Sequence, residues 1–159
     1  MAKVLIIYDS RTGNTEKMAN YVAEGAKETD AEVEVKKVDD AKLSDLEAAD
    51  GIILGSPTHF GTMSDKMKRL ISESVQIRGK LENKIGAAFT SSGALYGGGE
   101  TTLFSLIQAM LIHGMIVVGD PIEATGHYGA IAVGSPDEKA RDTCRKLGKR
   151  VGKLAKKLA

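Results

Sequence analysis

The chain has 159 residues, of which 42% are hydrophobic and 27% charged, with a net charge of +1. That length suits a single domain, 1–159, able to bury most of its apolar surface, and the composition is that of a soluble globular protein, not a disordered one. The near-neutral balance argues against nucleic acid as a partner, and no apolar run reaches the roughly 20 residues of a membrane-spanning helix, so no membrane insertion is expected.

The start, Met1-Ala2-Lys3 running at once into Val4-Leu5-Ile6-Ile7, lacks the layout of a secretory signal. One cysteine, Cys144, excludes an internal disulfide and a thiolate metal site, and a cytoplasmic location is the default that follows. His59, His113 and His127 lie far apart, without the close Cys or carboxylate spacing of a metal site, so no metal is expected.

Lys3 to Tyr8, rich in Val and Ile, reads as a buried strand. Asn14 to Glu28 has helical spacing, with Met18, Val22, Ala23 and Ala26 on one side. Glu32 to Val38 alternates and reads as an edge or half-covered strand. A short helix over Leu43 to Ala48 leads to a third strand, Gly51 to Ser56. Ser64 to Ser74 reads as a helix, Ile85 to Thr90 as a fourth strand, and Thr101 to His113 as the next helix. Met115 to Gly119 begins a fifth strand, with Ile131 to Val133 as its candidate completion.

The last helix opens at Ser135-Pro136-Asp137-Glu138, with Ser135 as cap and Pro136 at the first helical position. Ala140, Cys144, Leu147, Val151, Leu154 and Leu158 recur at four-three spacing and form its apolar stripe. Its many Lys and Arg residues form the opposite face, expected to be solvated. Five strands alternating with helices predict an α/β doubly wound sandwich: three layers around a five-stranded parallel sheet. Such sheets hold ligands at the carboxyl ends of their strands.

The first such end is Asp9-Ser10-Arg11-Thr12-Gly13-Asn14-Thr15, where a buried strand meets a helix N-terminus. Unpaired amides and the helix dipole favour an anion there, hydroxyls add donors, and Gly13 permits a close turn. It has neither the Gly-Lys-Thr/Ser of a triphosphatase loop nor the Gly-x-Gly-x-x-Gly of a dinucleotide fold. The third strand ends in Ser56-Pro57-Thr58-His59-Phe60-Gly61. The fourth ends in Thr90-Ser91-Ser92-Gly93-Ala94-Leu95-Tyr96-Gly97-Gly98-Gly99-Glu100. Both suit a flat polar heterocycle, with backbone donors and an aromatic each.

At these loops the sequence resembles flavodoxins, and more narrowly the WrbA-type NAD(P)H:quinone oxidoreductases. Ser10 to Thr15 matches the flavodoxin phosphate signature. Pro57-Thr58-His59-Phe60-Gly61 is similar to the WrbA-type Pro-Thr-Arg-Phe-Gly. Thr90 to Glu100 resembles that family's serine-threonine-glycine loop. His113-Gly114-Met115 matches its His-Gly-Met, and Tyr128-Gly129-Ala130 echoes its Tyr-Gly-Ala. The resemblance implies the flavodoxin-like strand order 2-1-3-4-5 and FMN as cofactor. It assigns the phosphate to Ser10, Arg11, Thr12, Gly13, Asn14 and Thr15. It sets Pro57, Thr58, His59, Phe60 and Gly61 beside the ring, and Thr90, Ser91, Ser92, Gly93, Ala94, Tyr96 and Gly97 along its pyrimidine side or ribityl chain. His113 would approach from the fourth helix. No side chain is expected to be catalytic, since the flavin carries the chemistry.

The chain departs from the WrbA-type pattern in three ways. His59 replaces the family's Arg, exchanging a fixed charge for an imidazole. Only Asp39 to Ala49 fills the place of a long segment between the second and third strands. Glu73 to Asn83 lacks the family's Trp. The missing parts serve quinone binding and subunit contacts in the family, which leaves a homo-oligomer open. Two functions compete: an enzyme using NAD(P)H to reduce quinones by two electrons, and an electron carrier that docks redox partner proteins.

Overall fold

The computed structural model describes residues 1–159. Its strands are β1 (Lys3–Tyr8), β2 (Glu32–Lys37), β3 (Gly51–Pro57), β4 (Ile85–Ser92), β5 (Ile116–Val117) and β6 (Ala130–Val133). The helices are α1 (Asn14–Lys27), α2 (Leu43–Ala48), α3 (Asp65–Glu73), α4 (Gly99–Ile112) and α5 (Glu138–Leu158). The sheet order is β2-β1-β3-β4-β5, every pair is parallel, and β6 also pairs with β4. This is the expected doubly wound α/β topology.

The fifth strand is split. Ile116 and Val117 pair with the start of β4, at Ile85 and Gly86, while Ala130 to Val133 pair with its end, Phe89 to Ser92. The chain leaves the sheet between them, so six strands stand where five are expected. Other boundaries shift. α5 begins at Glu138 and is capped by the Asp137 carboxylate, which accepts from the Ala140 amide at 2.8 Å. The expected cap, Ser135, lies outside the helix. α4 begins at Gly99, because the glycine run turns directly into its first turn.

Side chains alternate across each strand, so the sheet has two apolar faces. Val4, Ile6, Ile53, Ile85 and Phe89 face α1 and α5. Leu5, Ile7, Ile52, Leu54 and Ala88 face α3 and α4. β2 is the charged edge, guarded by a chain of ion pairs from Lys3 through Glu34 and Lys36 to Asp45, a form of edge that discourages pairing with another strand. Much of the basic face of α5 is paired: Arg141 and Arg145 with Glu24, Arg145 and Lys149 with Glu28, and Lys156 with Asp30. Lys149 and Arg145 hold the Glu28 carboxyl below its usual range. Exposed pairs of this kind contribute little to stability, because water and salt screen them.

No helix is long and apolar enough to cross a membrane, and no three His, Cys, Asp or Glu side chains converge as a metal site would need.

Candidate functional site

The first loop turns tightly after β1. The Gly13 amide donates to Ser10 Oγ at 3.1 Å, and Gly13 takes φ +96°, a conformation that favours glycine. α1 then starts without a side-chain cap. The amides of Asn14, Thr15 and Glu16 find no acceptor in the protein, as expected for the first turn of a helix awaiting an anion.

The second loop closes as a two-residue hairpin. His59 and Thr62 exchange backbone bonds at 2.9 and 3.1 Å around Phe60 and Gly61, whose φ angles are +51° and +78°. Two successive positive φ values mark a type I′ turn, costly for Phe and natural for Gly. A Cβ on Gly98 would lie 2.6 Å from Gly61 Cα. The start of α4 therefore holds this hairpin closely in place.

Hydroxyl pairs stitch the loops together. Thr15 Oγ1 meets Ser91 Oγ at 2.8 Å, Thr58 Oγ1 meets Thr90 Oγ1 at 2.9 Å, and Thr90 Oγ1 donates to the Ser56 carbonyl at 2.6 Å. The Thr58 amide donates to the Ser91 carbonyl at 2.8 Å, and the Gly134 amide to the Ser92 carbonyl at 2.7 Å. Between these loops lies a hollow of about 210 Å³, lined by Arg11, Thr12, Asn14, Thr15, Pro57, Thr58, His59, Ser91, Ser92, Gly93 and Gly134. No carboxylate and no large apolar side chain lines it.

Ten of the expected residues thus meet in one pocket. Ser10 and Gly13 shape the turn behind it. Thr90 is buried and joins β3 to β4. Phe60, Gly61, Ala94, Tyr96 and Gly97 lie in the two loops at its rim, with Phe60 and Tyr96 almost wholly exposed. The amides of Gly93, Leu95 and Tyr96 have no acceptor in the protein.

His113 is elsewhere. It caps the C-terminus of α4 beside the start of β5, at the end of the sheet opposite the loops. Its Nε2 lies 2.7 Å from Ser74 Oγ, and its Nδ1 is buried without a partner. Burial, and secondarily the charge of Arg78, lower its pKa. Within this chain it is a packing residue between α3 and α4. The reading along the sequence missed Gly134. The rule that found the other loops applies to the last strand as well: its expected completion ended at Val133, one residue before Gly134.

The pocket fits the phosphate and polar edge of FMN. It offers free helix-terminal amides, hydroxyls, one guanidinium and no opposing carboxylate.

The Flavodoxin family model matches residues 6–105. A flavodoxin of Aquifex aeolicus is 44% identical over 95% of this chain and 85% of its own. An NAD(P)H dehydrogenase (quinone) of Archaeoglobus fulgidus is 39% identical over 99% of this chain and all of its own. The crystal structure of a WrbA-like flavodoxin from Agrobacterium tumefaciens superposes with a TM-score of 0.84 at 28% identity, covering 99% of both chains. The chain belongs to the flavodoxin family and is an FMN-binding redox protein.

Proposed function

We propose that the protein is an FMN-dependent NAD(P)H:quinone oxidoreductase. The observation that carries this reading is the full-length likeness to the Archaeoglobus fulgidus quinone dehydrogenase, 39% identical over 99% of this chain and all of its own. When bound, FMN supplies hydride acceptance and passes both electrons on, so that NAD(P)H, a proton and a quinone become NAD(P)⁺ and a hydroquinone.

The residues divide the remaining work. The amides of Asn14, Thr15 and Glu16, with the Thr12 hydroxyl, hold the phosphate, and Arg11 offsets its charge. Thr58 and His59 border the ring, with His59 held by its hairpin. The free amides of Gly93, Leu95 and Tyr96 donate to its polar edge. The chain has no second nucleotide fingerprint, so donor and acceptor would react with the cofactor in turn.

A carrier role is the second reading. It is favoured by the 44% identity to a protein named a flavodoxin. Alignments with the quinone dehydrogenases also run to 190–198 positions against 159 residues here, so those relatives have segments this chain lacks.

Anaerobic mixing of the FMN-loaded protein with NADH or NADPH separates the two readings. Bleaching of the flavin absorbance within minutes, and its return on adding benzoquinone, is expected. If dithionite bleaches the flavin and neither nucleotide does, the carrier reading replaces the enzyme. Thr12→Val should weaken FMN binding by about 1–3 kcal/mol, measured by fluorescence titration. An unchanged dissociation constant would remove Thr12 from the phosphate site.

A further inference from the structure

A second, larger hollow of about 510 Å³ opens beside the cofactor pocket, between the start of α4, strand β6 and the start of α5. Ser92 lines both hollows. It opens at the carboxyl ends of β4 and β6, the same end of the sheet as the cofactor pocket.

The wall contains a platform for a flat ring. Tyr128 is partly exposed and packs on Phe104, with ring centroids 4.7 Å apart and an interplanar angle of 59°. Its place is set by a tight turn: the Tyr128 amide donates to the Gly126 carbonyl at 3.1 Å around His127, whose φ is +73°. A φ of that value inside a three-residue turn is rare and strained for a side-chain-bearing residue.

The polar groups are of two kinds. Glu100, in the first turn of α4, and Lys139, in the first turn of α5, both line the hollow, and neither is in an ion pair. Asp137 is engaged in capping α5. A stacking ring, a free carboxylate and a free ammonium match a base, a ribose diol and a diphosphate.

We infer that this hollow receives the ADP half of a nicotinamide dinucleotide whose nicotinamide end is served at the neighbouring cofactor pocket. The inference rests on the reductase reading above. Tyr128 carries the adenine, the Glu100 carboxylate accepts from the ribose hydroxyls, and Lys139 neutralises the diphosphate. Glu100 and Asp137 together oppose a 2′-phosphate, so NADH is preferred over NADPH.

The test uses FMN-loaded protein and ADP-ribose as probe. Calorimetry should show ADP-ribose binding, and kinetics should show it competing with NADH. Glu100→Gln and Tyr128→Ala should each raise the ADP-ribose dissociation constant and the KM for NADH about tenfold while leaving kcat unchanged. Glu100→Arg should shift preference toward NADPH.

If ADP-ribose fails to bind, or binds wild type and both variants alike, the hollow is not its site. If NADH bleaches the flavin and Glu100→Gln leaves KM unchanged, the hollow is overturned while the reductase reading stands. If neither nucleotide bleaches the flavin but ADP-ribose binds in a Glu100-dependent way, the hollow stands and the reductase reading falls.

Discussion

The two faces of the sheet are packed by different means. On one, α1 and α5 touch backbone to backbone. A Cβ on Gly25 would overlap the Arg145 carbonyl, and one on Gly148 would overlap the Val22 carbonyl. On the other, the space under α3 and α4 is filled by Met63, Met67, Met110 and Met115, with a residual cavity of about 30 Å³ among Leu46, Ile52, Leu54, Leu70 and Met110. Glycine in mid-helix costs about 1 kcal/mol in propensity, yet α5 has two buried glycines, Gly148 and Gly152. Close packing offsets that cost. The difference matters for function, because α1 presents the free amides of the phosphate loop, and an inflexible α1–α5 contact keeps them aimed. The methionine face adapts its shape more readily.

Gly148→Val tests the tight face most severely. Its side chain must push α1 and α5 apart, at a cost of about 3 kcal/mol in unfolding free energy, read from urea denaturation. A loss below about 1 kcal/mol would show that the helices separate freely and that the contrast between the faces is false.

Met115→Leu tests the other face. A swap that nearly conserves volume should cost less than about 1.5 kcal/mol in the same assay. A loss equal to that of Gly148→Val would erase the distinction.

His113 gives the looser face a pH signature. Burial, then Arg78, lower its pKa in the folded protein, so the unfolded chain takes up the proton first as pH falls. Its contribution is complete above about pH 6.5, the unperturbed value, and is lost as pH falls through the lowered folded value. The melting temperature should therefore decline on acidification, and His113→Gln should flatten part of that slope. Identical slopes would show that His113 protonates freely in the folded state.

The smallest expected effect is at Cys144, on the tight face. Burial pushes its pKa up to about 12. A thiol reagent at pH 8 should leave the native protein unlabelled and label it once unfolded in urea. Rapid native labelling would reveal an opening between α5 and the sheet.

Much of this could be read from the chain because bulky apolar residues announce themselves. Alternation and four-three spacing placed the strands and helices along the chain, the resemblance implied the strand order, and the hydroxyl-rich loop at the end of β1 lay where a parallel sheet binds anions. Close approach leaves no such mark. In α5 the expected stripe ran to Leu158, which is exposed, while Gly148, Gly152 and Ala155 are buried. A helix crossing at backbone distance selects for missing side chains, which hydrophobic periodicity does not count. The site shows the same limit: Ser10 to Thr15 is local in sequence and was legible, whereas Gly134 joined the pocket only through the bond of its amide to the Ser92 carbonyl.

His113 marks the boundary most clearly. The motif His113-Gly114-Met115 fits the family pattern by sequence, but a helix 14 residues long, starting at the carboxyl ends of the strands, delivers its last turn to the opposite end of the sheet. The sequence by itself determined the doubly wound sheet, the anion-binding first loop and the flavodoxin kinship, since each rests on residues adjacent or periodic along the chain. Only the tertiary structure decided which loop residues line the pocket, which merely join strands, and that a second hollow opens beside Ser92. Those outcomes depend on distances between residues up to 100 or more positions apart, which packing sets and local pattern does not encode.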